Sequence, residues 1–107
     1  MKPYVKEFLS KYVHQFETLN IDIHSLVLFG SQARGEATVS SDIDIAVVMK
    51  EDLTHFERGK LRCLGDDVDS RAEVNLFFTT QEAINFAQKD LDTNKYIREE
   101  GIKLWPK

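Results

Sequence analysis

The stretch from Leu26 to Met49, LVLFGSQARGEATVSSDIDIAVVM, sets the tightest limit on what this chain can fold into. Two apolar runs of strand character, Leu26 to Phe29 and Ile43 to Met49, flank a polar turn carrying Gly30, Ser31, Arg34 and Gly35. The chain therefore turns back on itself between two strands. Asp42 and Asp44 open the second run. In a strand, the period of two puts both carboxylates on one face and Ile43 and Ile45 on the other. Two acids on one face repel and lose solvation, so stability is not what places them there. A divalent cation removes the conflict, because Mg²⁺ binds through one or two carboxylates together with the phosphates of a substrate.

The turn supplies the other half of such a site. Gly30, directly after a buried strand, lets the backbone take a positive φ or approach a ligand. Ser31 is placed to cap a short helix begun by Gln32, Ala33 and Arg34, and free amides at a helix start bind phosphate. Gly35 ends that turn, and Arg34 is a candidate partner for phosphate or carboxylate.

Gly30-Ser31, ten intervening residues and then Asp42-Ile43-Asp44 resemble the signature of the polymerase-β-type nucleotidyltransferases, in particular the small stand-alone group called minimal nucleotidyltransferases. A bare pair of acids on a strand end is a weak signal. The joint pattern of strand, Gly-Ser, Arg-Gly, Ser-Asp-x-Asp and second apolar strand is far more specific. The resemblance implies an α/β fold, a small mixed sheet packed against helices. It implies Asp42 and Asp44 as ligands of Mg²⁺, with Mn²⁺ as an alternative, and Gly30 and Ser31 as the turn that holds a nucleoside triphosphate, ATP. Arg34 and Ser41 are further nucleotide-binding candidates. A third acid from a later strand completes the family's metal site, but here that position reads Val74-Asn75-Leu76. Asn75 can offer a carbonyl oxygen to the cation but cannot accept a proton. Glu73, two residues earlier on the same strand face, is the candidate substitute for the catalytic acid, the alternative being a solvated acid at the strand entrance.

The chain also resembles the antitoxins paired with HEPN-domain toxin ribonucleases. That implies transfer of AMP from ATP to a protein hydroxyl, with a helical toxin as partner. The alternative is a catalytically weakened nucleotide- and metal-binding protein that neutralises its partner by contact, which Asn75 favours. Transfer to a small molecule or to an RNA end is disfavoured by the length, which leaves no room for a second substrate domain.

At 107 residues the chain is expected to form one nucleotidyltransferase domain, residues 1–107. The resemblance covers nearly all of it. The closing Gly-x-x-Leu-Trp segment resembles the end of family members, so no further domain is expected. With 42% hydrophobic and 30% charged residues the balance is that of a globular protein. No apolar run reaches membrane-spanning length and no signal peptide opens the chain, which points to the cytoplasm. A net charge of −4 with scattered Lys and Arg argues against binding nucleic acid by phosphate neutralisation and suits a basic protein partner. Self-association stays open. The single cysteine, Cys63, excludes an internal disulfide or thiolate cluster and reads as a small apolar filler on a helix.

Along the chain, Val5, Phe8, Leu9, Tyr12, Val13, Phe16 and Leu19 predict an amphipathic helix from Pro3 to about Asn20. Asn20 to Ser25 reads as a connection, with His24 a loop histidine. Thr54 or Asp52 is expected to cap a helix carrying Leu53, Phe56, Leu61 and Leu64, weakened by Gly59. Gly65 to Ser70 reads as a solvated acidic loop whose spacing fits no EF-hand. Val74 to Phe78 is a third strand, with Thr79 to Glu82 as its exit and a helix cap. Ile84, Phe86, Ala87 and Leu91 predict a further helix, and Gly101 a helix C-cap before Ile102 to Trp105.

Overall fold

The computed structural model describes residues 3–18, 23–35, 43–50, 54, 56–60, 63 and 74–106. In chain order these form α1 (Pro3–Thr18), β1 (Ile23–Phe29), α2 (Ser31–Arg34), β2 (Ile43–Met49), α3 (residues 56–60), β3 (Val74–Thr80), α4 (Gln81–Phe86), α5 (Thr93–Glu100) and β4 (Ile102–Trp105). The chain divides into two compact units, Met1–Asp22 with Leu53–Ala72 and Ile23–Asp52 with Glu73–Lys107.

In the first unit, Phe8, Tyr12 and Phe16 recur every four residues on α1 and share one helix face. All three are buried. Phe8 stacks on Tyr12 at 5.6 Å between ring centroids and Phe16 meets Tyr12 edge-on at 5.8 Å, both favoured aromatic geometries. Burial pushes the Tyr12 hydroxyl well above its ordinary pKa. Thr54 is the cap of α3. Its Oγ1 accepts from the Glu57 amide at 3.2 Å while Glu57 Oε1 accepts from the Thr54 amide at 3.1 Å, a reciprocal capping box. Two expectations fail on this segment. Phe56 is exposed, with the Lys60 ammonium 4.5 Å from its ring centroid, and Cys63 is exposed on helical backbone rather than filling a core. Asp52, Leu53, Leu61, Leu64 and the loop Gly65 to Ser70 lie outside the described residues.

The second unit holds a four-stranded mixed sheet in the order β3-β2-β1-β4. The predicted hairpin is present: β1 and β2 pair antiparallel, Phe29 opposite Asp44. β3 joins parallel to β2, with Asn75 beside Asp44, and β4 joins antiparallel to β1. A central strand has neighbours on both sides and cover on both faces, so it reads as a continuous apolar run. In β2, Ile43 and Ile45 to Met49 are all exposed by 1% or less, which leaves Asp44 as the one residue of the strand still open to solvent.

On the face that carries Asp44, Ala46 and Val48 pack with Ile84 of α4 and Ile97 of α5, ringed by Val27, Phe29 and Phe77. Thr80 caps α4 by accepting from the Ala83 amide, and Asp92 caps α5 by accepting from the Asn94 amide. The helix expected to run to Leu91 stops at Phe86. Arg98 of α5 donates to the carbonyls of Ile84 and Asn85 at 2.8 and 3.1 Å, capturing acceptors that another turn of α4 would have used. Leu91, and Phe86 at the end of α4, are consequently exposed.

β1 begins at Ile23, before the expected Leu26. An irregularity between Ile23 and Ser25 leaves Ser25 and Leu26 both buried and breaks the alternation that marks a strand. His24 is therefore a strand residue. β4 was not anticipated as a strand, being only four residues long. Gly101 does end α5, its amide bonding Ile97 O at 2.9 Å, but with φ −64° it is not left-handed. A Cβ there would run into Ile97 O and Val27 Cγ1, so glycine is needed for the close approach of α5 to β1. No helix among the described residues is long and apolar enough to cross a membrane.

Candidate active site

Pairing across the sheet puts Phe29, Asp44 and Asn75 in one row at the end of a face. The next row, Val27, Ala46 and Phe77, belongs to the apolar cluster of Ile84 and Ile97. Phe29 and Phe77 meet edge-on at 6.3 Å. Asp44 is thus a half-buried carboxylate at the rim of an apolar layer, held by the most buried strand of the sheet.

Gly30 follows Phe29 directly, with φ 75° and ψ −156°, a conformation open in practice only to glycine. A Cβ on Gly30 would overlap Asp44 Oδ2. Glycine therefore does two things here, turning the chain out of β1 and letting its backbone close against the carboxylate. The Gly30 carbonyl accepts from the amides of Ala33 and Arg34 at 3.1 and 3.2 Å, which starts α2. The cap of α2 is Gly30 rather than Ser31, which is already helical: the expectation of a Ser31 cap is corrected. The cause is the ψ of Gly30, which feeds the helix one residue early. Gly35 ends α2, as the sequence implied, and does so in the left-handed conformation, φ 72° and ψ 18°.

On the other side of Asp44, Asn75 Nδ2 donates to Asp44 Oδ1 at 3.3 Å. An ionised carboxylate only accepts, so the amide nitrogen is the end of Asn75 that faces it. Arg34 Nη1 donates to Glu100 Oε2 at 2.9 Å, joining α2 to the end of α5. Glu100 escaped sequence reasoning because a contact between residues 66 apart has no local signature. Gln32 was likewise passed over; its Nε2 is buried and has no hydrogen-bond partner among the described residues.

Of the residues singled out in the sequence, Gly30, Asp44 and Asn75 come together, and Ser31 and Arg34 lie on the short helix that leaves Gly30. Asp42, Ser41 and Glu73 lie outside the described residues. Among the described residues no group of three or more His, Cys, Asp or Glu gathers to hold a metal. What is present fits a hard cation carried with phosphate. Asp44 supplies an anionic oxygen that stays partly open to solvent, and the Gly30 backbone at the start of α2 lies directly against it.

The sequence profile of the family "Polymerase beta, Nucleotidyltransferase" matches residues 7–102. The chain belongs to this nucleotidyltransferase family. Its mixed sheet with helices is the nucleotidyltransferase fold, as the Gly-Ser and Asp-x-Asp resemblance implied. A Sulfolobus solfataricus protein assigned as a nucleotidyltransferase is similar at TM-score 0.59 and 20% identity, over 94% of this chain and 76% of that one. A toxin–antitoxin structure with AMP-PNP is similar at TM-score 0.59 and 25% identity, over 92% of this chain and 73% of that one. A mutant of the toxin–antitoxin MntA-HpeT gives TM-score 0.58 and 26% identity, over 92% of this chain and 72% of that one. No curated protein matches the chain.

Proposed function

We propose that this nucleotidyltransferase moves AMP from ATP to a hydroxyl of a partner protein, and that the partner is a helical toxin of the HEPN type which it serves as antitoxin. The observation that carries the reading is the closure of the Gly30 backbone against the Asp44 carboxylate. It sets a phosphate-type turn directly beside a candidate cation ligand. The toxin–antitoxin likeness, with AMP-PNP in one of the similar structures, supports the nucleotide and the partner class.

Transfer needs the attacking oxygen held in line with the α-phosphorus and the charge of the transferred group offset. Asp42 and Asp44 would hold Mg²⁺, or Mn²⁺ in its place, which supplies that neutralisation when bound. Gly30 and Ser31 would bear the triphosphate, with Arg34 and Ser41 beside it. Gln32 Nε2 is a buried donor that a phosphate oxygen would satisfy. Glu73 is the acid left to take the proton of the acceptor hydroxyl, because Asn75 cannot. The net charge of −4 suits a basic partner surface in the cytoplasm.

A second reading is favoured by one observation, the amide of Asn75 where the family pattern has an acid. In it the site binds nucleotide and the chain neutralises its partner by contact. Incorporation of labelled AMP into the cognate partner, with Mg²⁺, separates the two. The transferase reading expects label with wild type and none with Asp44→Ala. Neutralisation without label by both proteins would replace it with the contact reading.

A further inference from the structure

Asp44 is gripped from two sides. Its Oδ2 lies where a side chain on Gly30 would be, and its Oδ1 accepts from Asn75 Nδ2. The parallel register of β2 and β3 fixes this second contact, because Asp44 and Asn75 are paired residues on adjacent strands. Since an ionised carboxylate offers no proton, the grip requires the amide nitrogen toward Asp44, and the planar amide then turns its carbonyl oxygen away. Asn75 cannot both keep this bond and give its oxygen to a cation held on Asp44 Oδ1.

We propose that Asn75 is a positioning residue that donates to Asp44 and locks its rotamer against Gly30, and that a divalent cation consequently enters this site together with the triphosphate rather than before it. The proposal rests on the nucleotidyl-transfer reading of the site. An amide at position 75 brings one negative charge fewer than an acid would. A cation drawn by fewer carboxylates relies on phosphate oxygens for the rest of its ligands and charge, as Mg²⁺ commonly does. Orientation of a ligand by a hydrogen-bonded neighbour is worth about 10–100-fold in metal affinity. That is the effect assigned to Asn75.

The test uses the intact chain with Mn²⁺ and AMP-PNP as probes. Paramagnetic resonance of free Mn²⁺ measures binding, and the side-chain amide signals of Asn75 report its bond. Wild type should bind Mn²⁺ weakly alone and much more tightly with AMP-PNP. Asn75→Leu, close in size but without the donor, should bind the pair about 10–100-fold more weakly. Asn75→Asp should gain affinity for Mn²⁺ alone. In the spectrum, one Asn75 amide proton should lie downfield, return to its usual position in Asp44→Ala, and stay downfield when Mg²⁺ and AMP-PNP are added. The proposal is overturned if Asn75→Leu binds as wild type does, if wild type binds Mn²⁺ equally with and without nucleotide, or if Mg²⁺ and AMP-PNP abolish the downfield signal and shift the Asn75 carbonyl carbon instead. Failure of the underlying transferase reading looks different: wild type and Asp44→Ala would then bind Mn²⁺ and AMP-PNP equally.

Discussion

Two glycines of the site turn have a positive φ, and exchanging each for alanine separates backbone strain from damage to the site. Gly30→Ala puts a methyl group where Asp44 Oδ2 lies, at φ 75° and ψ −156°. The conformation alone costs about 1–3 kcal/mol for a residue with a Cβ. Relief of the overlap must come from Asp44, a short side chain on a fully packed strand, so its carboxylate has to leave its place beside Gly30. Gly35→Ala is the control. Gly35 has φ 72° and ψ 18°, and a Cβ there meets nothing within 4 Å. It should cost about 1–2 kcal/mol of left-handed strain and disturb no neighbour. Thermal unfolding should therefore show both variants destabilised, by about 4–8 °C in Tm for each kcal/mol in a domain near this size. Calorimetric titration with Mg²⁺ and AMP-PNP should show the difference: wild-type affinity in Gly35→Ala and a loss of about 10–100-fold in Gly30→Ala, as for a mispositioned ligand. Equal nucleotide affinity in the two folded variants would refute the argument that Gly30 seats Asp44.

Ile97→Ala empties a position exposed by 3% between α5 and the sheet and should cost about 2–5 kcal/mol in urea unfolding; a loss below about 1 kcal/mol would mean that α5 does not seal this face. The buried Tyr12 hydroxyl gives a pH signature. Its folded pKa is raised above the ordinary 10.0, so its contribution is complete below pH 10 and is lost as pH rises through the folded value. The loss approaches about 1.4 kcal/mol per pH unit for one proton. Compared with wild type, Tyr12→Phe should lack this alkaline component, and identical pH slopes in the two proteins would show that Tyr12 ionises freely in the fold.

Much of the fold was legible because it is written in local patterns. The four-residue recurrence of Phe8, Tyr12 and Phe16, the apolar run Ile45 to Met49, the capping residues Thr54 and Thr80, and the end of the site turn at Gly35 each act within a few residues of themselves. The pairing of the two apolar runs follows from the same logic, since consecutive strands commonly lie side by side, whereas the contact of Gly30 with Asp44 comes from their register across the sheet. By itself the sequence thus determined the two central strands and the Gly-Ser turn that follows the first of them. Tertiary structure decided what no window of residues contains. It stopped α4 at Phe86 because Arg98, a helix later, takes the carbonyls of Ile84 and Asn85. It made Ile102 to Trp105 a strand because β1 had an open edge to pair with, and it required Gly101 to lack a side chain because Val27 lies against it. It also assigned Asn75 a partner. As a residue type, asparagine offers both a donor and an acceptor, and only the parallel pairing of β2 with β3, which lays a carboxylate beside it, selects the donor.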